Sequence, residues 1–322
     1  MAGGLTPSDP ETKIVMVMRK LARRHPLTLF FVLAAALSWW PWPFYAAGLS
    51  SVPIAGFGPF LAAATVLGLT RGRAGIGSLL GSMVRWRVPL RAYLLALGTP
   101  LLLSGAAVAL NLWLGASRPS AALLGAWVEI PMTMMVILLV PGLGGAWEEP
   151  GFRGFALGRL ERRWGRMTAP LVLGVLWVIW HLPLFVAGQI LPTDVLTVIA
   201  ASIVIAAVFH VGGESVLIAM LLHATNNAVG GGFASQLFAG ADLERLGWLT
   251  AAAWCAAAGV VLAVQAGNTL RRRREETRSG RPDAAEVAEH IGIAVGQASS
   301  QEPTGSVTSV RSSSTATAER HW

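Results

Sequence analysis

Apolar residues in this chain come in unbroken blocks and not in the alternation of a half-buried helix or strand. Eight such blocks cover roughly 26–47, 52–69, 90–114, 121–143 with an extension to 157, 168–187, 195–211, 215–233 and 246–266, with short polar connections between them. A hydrocarbon core about 30 Å thick takes about 20 apolar helical residues to cross, and the blocks are of that order. The pattern predicts an all-α polytopic transmembrane bundle of about eight spans. The fourth block is too long for one straight helix, and Gly142, Gly144, Gly145, Pro150 and Gly151 invite a break within it.

The connections carry charge unequally. Arg71, Arg73, Arg85, Arg87 and Arg91 lie between blocks two and three, Arg159, Arg162, Arg163 and Arg166 between four and five, and Arg271 to Arg274 after block eight. Alternate connections hold almost no basic residues: none near Ser50, Arg118 alone, Asp194 alone, then Arg245 beside Asp242 and Glu244. Basic connections stay on the cytoplasmic side, so both termini are expected there. The connection between blocks six and seven tests this least, since it holds His210 and Glu214 but no arginine.

Composition agrees with a membrane protein. Of 322 residues 54% are hydrophobic and only 13% charged, against about 25% charged in soluble domains. The formal charge of +8 raises the question of nucleic acid, but the arginines sit between apolar blocks and no groove-reading or single-strand motif accompanies them. Nucleic acid is therefore excluded as a partner, and the bilayer is the expected one. A single cysteine, Cys255, allows no internal disulfide and no cysteine metal cluster. The basic N-terminal stretch before Pro26 resembles a signal peptide, yet the apolar run passes into Trp39-Trp40-Pro41-Trp42 with no small-residue cleavage site, which favours an uncleaved first span. Three regions result: a cytoplasmic segment 1–25 with an interfacial helix, a membrane domain 26–268 with its motif core at 121–232, and a disordered cytoplasmic tail 269–322 rich in Ser, Thr, Gly and Ala. The Arg-, Ala- and Gly-rich composition fits a GC-rich bacterial genome, hence a bacterial plasma membrane.

Ionisable residues at membrane depth are costly and are functional candidates by default. Block four contains Glu148-Glu149-Pro150-Gly151-Phe152-Arg153. Glu149 and Arg153, at i and i+4 on a helix, are placed to pair, which leaves Glu148, about 100° around the helix, available. Block five contains Trp177-Val-Ile-Trp-His181, and block seven His223-Ala-Thr-Asn226-Asn227. Each element has an ordinary explanation: a structural ion pair, an interhelical histidine, an amide that holds helices together. Depth argues for a shared site instead. Counted from the basic end at 1.5 Å per residue, Glu148, His181 and His223 all lie about 13–17 Å into the membrane.

Such a site suits peptide hydrolysis. A glutamate in a low dielectric takes a proton from water, and histidine and asparagine donors stabilise an oxyanion. Alternatively, Glu148, His181 and His223 would ligate Zn2+ with a position open for water. No His-Glu-x-x-His or His-x-x-Glu-His motif occurs. A proton-coupled transporter is the competing reading of the buried acids and histidines, but it predicts inverted repeats and paired broken helices, and only block four has a break. A non-catalytic membrane scaffold or immunity-type protein is the other.

Taken in order, Glu-Glu-x-x-x-Arg, aromatic-x-x-x-His and His-x-x-x-Asn on successive spans resemble the CPBP family of intramembrane proteases. That family includes type II CAAX prenyl endopeptidases and bacterial Abi and lysostaphin-resistance-like proteins. The resemblance covers roughly 121–232, with Gly58-Pro59 and Arg85-Trp86-Arg87 also similar. It implies an intramembrane endopeptidase acting on a membrane-associated peptide or protein that enters from the membrane or the cytoplasmic side. By the same resemblance Glu148 activates water with His181 assisting, His223 and Asn227 form the oxyanion site, and Glu149, Arg153, Trp177 and Asn226 support them. Trp177 stands where Phe is commoner, a change expected to matter little. Members have been regarded both as metalloproteases and as metal-independent glutamate proteases; no obligatory cofactor is expected here, with Zn2+ the open alternative.

Overall fold

A computed structural model describes residues 10–279, and all regular structure among them is helical. The chain divides into two units, Met1–Ala266 and Gly267–Trp322. Residues 269–279, expected in a disordered tail, continue as helix, in keeping with the good helix propensity of their Arg and Glu run. The remainder of that expected tail, and residues 1–9, lie outside the described residues.

In chain order the helices are α1 (Pro10–Arg24), α2 (Pro26–Trp39), α3 (Trp42–Ala46), α4 (Gly58–Met83), α5 (Leu90–Trp113), α6 (Ala121–Gly125) and α7 (Ile130–Leu139). There follow α8 (Glu149–Gly151), α9 (Gly158–Trp180), α10 (Leu182–Val186), α11 (Asp194–Val211), α12 (Val216–Asn226) and α13 (Gly240–Ser279). Pro26 starts α2 and Pro59 starts α4, each in the first turn where no donor is lost. α1 packs on α4, turning Ala22 inward and leaving Met16 and Val17 exposed.

Six described helices or helix runs are long and apolar enough to cross a membrane: 26–46, 90–113, 121–139, 194–211, 216–237 and 240–271. The other two expected passes, 52–69 and 168–187, differ. α4 breaks at Gly72 (φ 62°) and α9 at Gly165 (φ 78°), conformations open to glycine. Each break leaves one apolar segment and one arginine-bearing segment, so neither helix is a full-length apolar span. The fourth block is interrupted as its glycines foretell: α7 ends at Leu139, and Gly142 (φ 88°) and Gly144 (φ 83°) turn the chain before Glu148.

Packing follows from small residues. Ala62, Ala63 and Val66 on α4 are fully buried, and α4 packs on α2. Gly174 on α9 lies so close to α11 that a Cβ there would sit 2.9 Å from Ile199 Cα, the close backbone approach that joins helices in lipid. Two buried polar groups bond across helices: the Ser202 hydroxyl donates to the Pro170 carbonyl (2.8 Å) and the Trp180 indole to Ser38 Oγ (3.0 Å). Meanwhile Val32, Leu94, Leu102, Met132, Leu139 and Val260 present large apolar side chains outward, as a lipid-facing surface requires. This is a multi-pass membrane bundle.

Cross-links mark the two ends of the first unit. At one, Arg85 Nη1 donates to the Gly213 carbonyl (2.8 Å), Ser215 Oγ to the Arg85 carbonyl (2.7 Å), and His210 meets Glu161 (2.6 Å). At the other, Gln189 Nε2 donates to the Ser51 carbonyl (3.2 Å), Tyr45 to that of Ala187 (3.4 Å) and Asn111 Nδ2 to that of Asp242 (3.0 Å), while Gly247 packs against Leu191 and Thr193. Both α4 and α9–α10 therefore run from end to end despite their broken helices.

Candidate active site

Glu148 closes a tight 3-10 turn, Gly145–Glu148, entered through the Gly142 and Gly144 bends. Glu149–Gly151 then form one α-turn, and Phe152–Leu157 widen into a π-helix. Pro150 contributes to this irregularity because it has no N–H to donate back along the helix. On the far side of the site the same device recurs: α12 ends at Asn226 and Asn227–Phe233 form a second π-helix. Wide π turns inside α-helices are frequent at functional sites, and here each contains a candidate residue, Arg153 in the first and Asn227 in the second.

The two glutamates diverge, as their spacing predicts. Glu148 Oε2 accepts a hydrogen bond from the Trp177 indole (2.6 Å), leaving Oε1 to the cavity. Glu149 is fully buried, and its Oε1 meets both Arg153 Nη1 (2.9 Å) and His223 Nδ1 (2.7 Å). The Arg153 pair is the expected one; the bond to His223 is new. Glu149 is thus a bridge between the arginine and the histidine, not only the arginine's partner. Arg153 has no other hydrogen-bond partner for Nε and Nη2, and its guanidinium lies over the Trp177 ring at 4.4 Å, a cation–π contact that partly replaces hydrogen bonds.

Both histidines have their ring orientation set. His181 Nδ1 donates to the Trp177 carbonyl (2.8 Å), so Nε2 is its free nitrogen. His223 Nδ1 is taken by Glu149, and its Nε2 lies against Gly145 so closely that any Cβ at that glycine would collide with the imidazole. Trp177 stands between them, its ring centroid 5.5 Å from that of His181 and 5.3 Å from that of His223. Asn226 Nδ2 donates to Asn227 Oδ1 (3.4 Å).

Glu148, Trp177, His181, His223, Asn226 and Asn227 all line one cavity of about 440 Å³. The residues nominated from three separate blocks thus converge. Glu149 and Arg153 stand behind that wall. Sequence reasoning missed other members: Gly144 and Gly145, which frame the floor, and Gln189, Asp194 and Thr197 on the entry side. The glycines were visible as a break, but nothing in the sequence tied that break to His223. Trp177 was expected to be interchangeable with Phe; its indole N–H holds Glu148 in a way phenyl cannot.

Among the described residues no group of three His, Cys, Asp or Glu side chains is arranged to hold a metal ion. Glu148, His181 and His223 share a cavity without forming a ligand set.

Residues 127–229 match the family model described as type II CAAX prenyl endopeptidase Rce1-like. The matched stretch runs from the helix before the glycine break through Asn227 and so contains every candidate site residue. This core is Rce1-like. Among curated proteins, none matches the chain. The Rce1-like core agrees with the resemblance carried by the three motifs, and a protease-type function of the CAAX-protease kind goes with it.

Proposed function

We propose that the chain is an intramembrane endopeptidase that hydrolyses a peptide bond of a membrane-associated polypeptide with water activated by Glu148. What supports this reading is the convergence of Glu148, His181, His223 and Asn227 from three chain segments on one cavity, each histidine held by its Nδ1 so that Nε2 is free.

In the proposed mechanism a water molecule lies between Glu148 Oε1 and His181 Nε2. Glu148 removes its proton as the oxygen attacks the carbonyl carbon, a role worth about 10²–10⁴-fold. His181, protonated at Nδ1 where it donates to the Trp177 carbonyl, accepts a second hydrogen bond from the water at Nε2 and orients it. The carbonyl oxygen becomes an oxyanion facing Asn227 and His223. Asn227 donates through its amide, and His223, held at Nδ1 by Glu149, turns its Nε2 toward the same oxygen. The C–N bond then breaks as Glu148 returns its proton to the departing nitrogen, giving a carboxylic acid, which keeps the second water proton, and an amine. Glu149 and Arg153 touch no reacting atom in this scheme; they position His223 and the Trp177 face. The setting is a bacterial plasma membrane.

The test is a peptide-release assay on purified protein in detergent with a quenched fluorescent peptide in H₂¹⁸O. The expected result is one heavy oxygen in each new carboxyl group and loss of release in Glu148→Gln. Release that persists in Glu148→Gln rules out this mechanism.

A further inference from the structure

The two ends of the first unit differ in charge and in access. The end cross-linked through Arg85 and Gly213 carries a crevice of about 290 Å³ lined by Arg71, Arg85, Arg159 and Arg162 together with Glu161 and His210. Burial pushes Arg159 down to about 10, with Arg71 and Arg162 adding to the effect, a sign of how densely cations gather there. At the opposite end the connections 48–57, 114–120, 187–193 and 238–245 hold only Arg118 and Arg245 as basic residues, and Arg245 is paired with Asp242 at 2.8 Å. Basic connections mark the cytoplasmic side.

The candidate cavity opens at the arginine-poor end. Its rim is formed by exposed Ser51, Val52 and Gln189, and its floor by buried Glu148, Trp177 and His223. Toward the basic end the buried Glu149–Arg153 pair and Phe152 stand behind the lining residues His223 and Trp177. Arg153 already lines the basic crevice beyond that wall. The cavity lining itself includes acidic Glu148 and Asp194 but, among the described residues, no Lys or Arg. A free C-terminal carboxylate would meet no lysine or arginine there, and His223 already faces the Glu149 carboxylate; burying a carboxylate unpaired is costly. Val52, Pro53, Ile54, Leu184, Val198 and Ile205 supply an apolar surface instead.

We infer that the site takes its substrate from the extracytoplasmic face, and that this substrate is an uncharged, apolar internal segment of a polypeptide exposed there, not a cytoplasmic C-terminus. The inference rests on the protease reading for its chemistry and on the charge distribution for its direction.

Accessibility tests the direction without needing activity. In a Cys255→Ala background, Gln189→Cys and, separately, Ser51→Cys report the rim, and Ser78→Cys, exposed beside the basic crevice, reports the other end. A membrane-impermeant charged maleimide applied to intact spheroplasts is expected to label either rim cysteine at least tenfold faster than Ser78→Cys, with the order reversed in inverted vesicles. Rim labelling confined to inverted vesicles overturns the inference and leaves the protease reading standing. For the substrate class, purified wild-type protein is given one neutral apolar peptide as its C-terminal amide and as its free acid. Rates within about threefold are expected, and a tenfold preference for the acid overturns the inference. If neither peptide is cleaved by wild-type protein while the rim labels from outside, the protease reading fails and the direction of opening holds.

Discussion

Replacing Arg153 with alanine should unfold the protein before it slows the chemistry. Its guanidinium is buried, 2.9 Å from Glu149 Oε1 and 4.4 Å above the Trp177 ring. Removing one partner of a buried pair strands the other charge and costs about 3–5 kcal/mol. At about 1.4 kcal/mol per tenfold, that is a loss of roughly 100- to 4000-fold in the folding equilibrium. The lost cation–π contact adds about 0.5–2 kcal/mol. For a domain of this size each kcal/mol shifts the melting temperature by roughly 2–4 °C, so Arg153→Ala should melt at least about 6 °C lower and give less folded protein. Thermal unfolding in detergent, followed by chromatographic monodispersity, measures this directly. Glu149→Gln/Arg153→Met should melt closer to wild type than Arg153→Ala, because it strands no charge and the glutamine oxygen still accepts from His223 Nδ1. If Arg153→Ala melts within about 2 °C of wild type but is inactive, the pair is not structural, and Arg153 acts on substrate.

Glu148→Gln should lose at least about 100-fold in kcat with its melting temperature unchanged, since the amide oxygen still accepts from Trp177; turnover within tenfold of wild type would remove Glu148 as the base. Asn227→Ala should lower kcat by about 10²–10³ with KM nearly constant, and a change confined to KM would make Asn227 a binding residue. Gly145→Ala drives a methyl into the His223 imidazole, so it should cost about 1–3 kcal/mol of stability and most of the turnover; a wild-type rate would show that His223 Nε2 is not needed at that position. Peptide release should persist within about twofold after chelator treatment, and a loss restored by Zn2+ would return the metal to the mechanism.

Much of this arrangement was legible in the chain because hydrophobicity and charge act over whole segments. The blocks announced the helices, and the interval from each basic edge brought Glu148, His181 and His223 to one level. The Glu149–Arg153 pair followed from spacing alone. Other features depend on contacts between distant segments. Glu149 lies 74 positions from His223 and Trp177 29 positions from Glu148, and no local pattern specifies those bonds. The shortness of the two broken passes was hidden for a different reason: Gly72 and Gly165 sit among arginines, where a glycine reads as part of a loop and not as the end of a span.

Those two short passes bear on the membrane itself. From Gly58 to the Gly72 break, and from the Gly165 break to Trp180, each helix offers only about 20 Å of length, against a hydrocarbon core of about 30 Å. A bilayer meets such a mismatch by thinning locally or by letting flanking side chains reach up to the headgroups, at a fraction of a kcal/mol per Å. Arg71 and Arg166, exposed beside the two breaks, are placed to do the second. The proposed hydrolysis needs water to arrive, and a scaffold with two under-length passes, one carrying Trp177 and leading into His181, brings the aqueous boundary toward the floor of the candidate cavity.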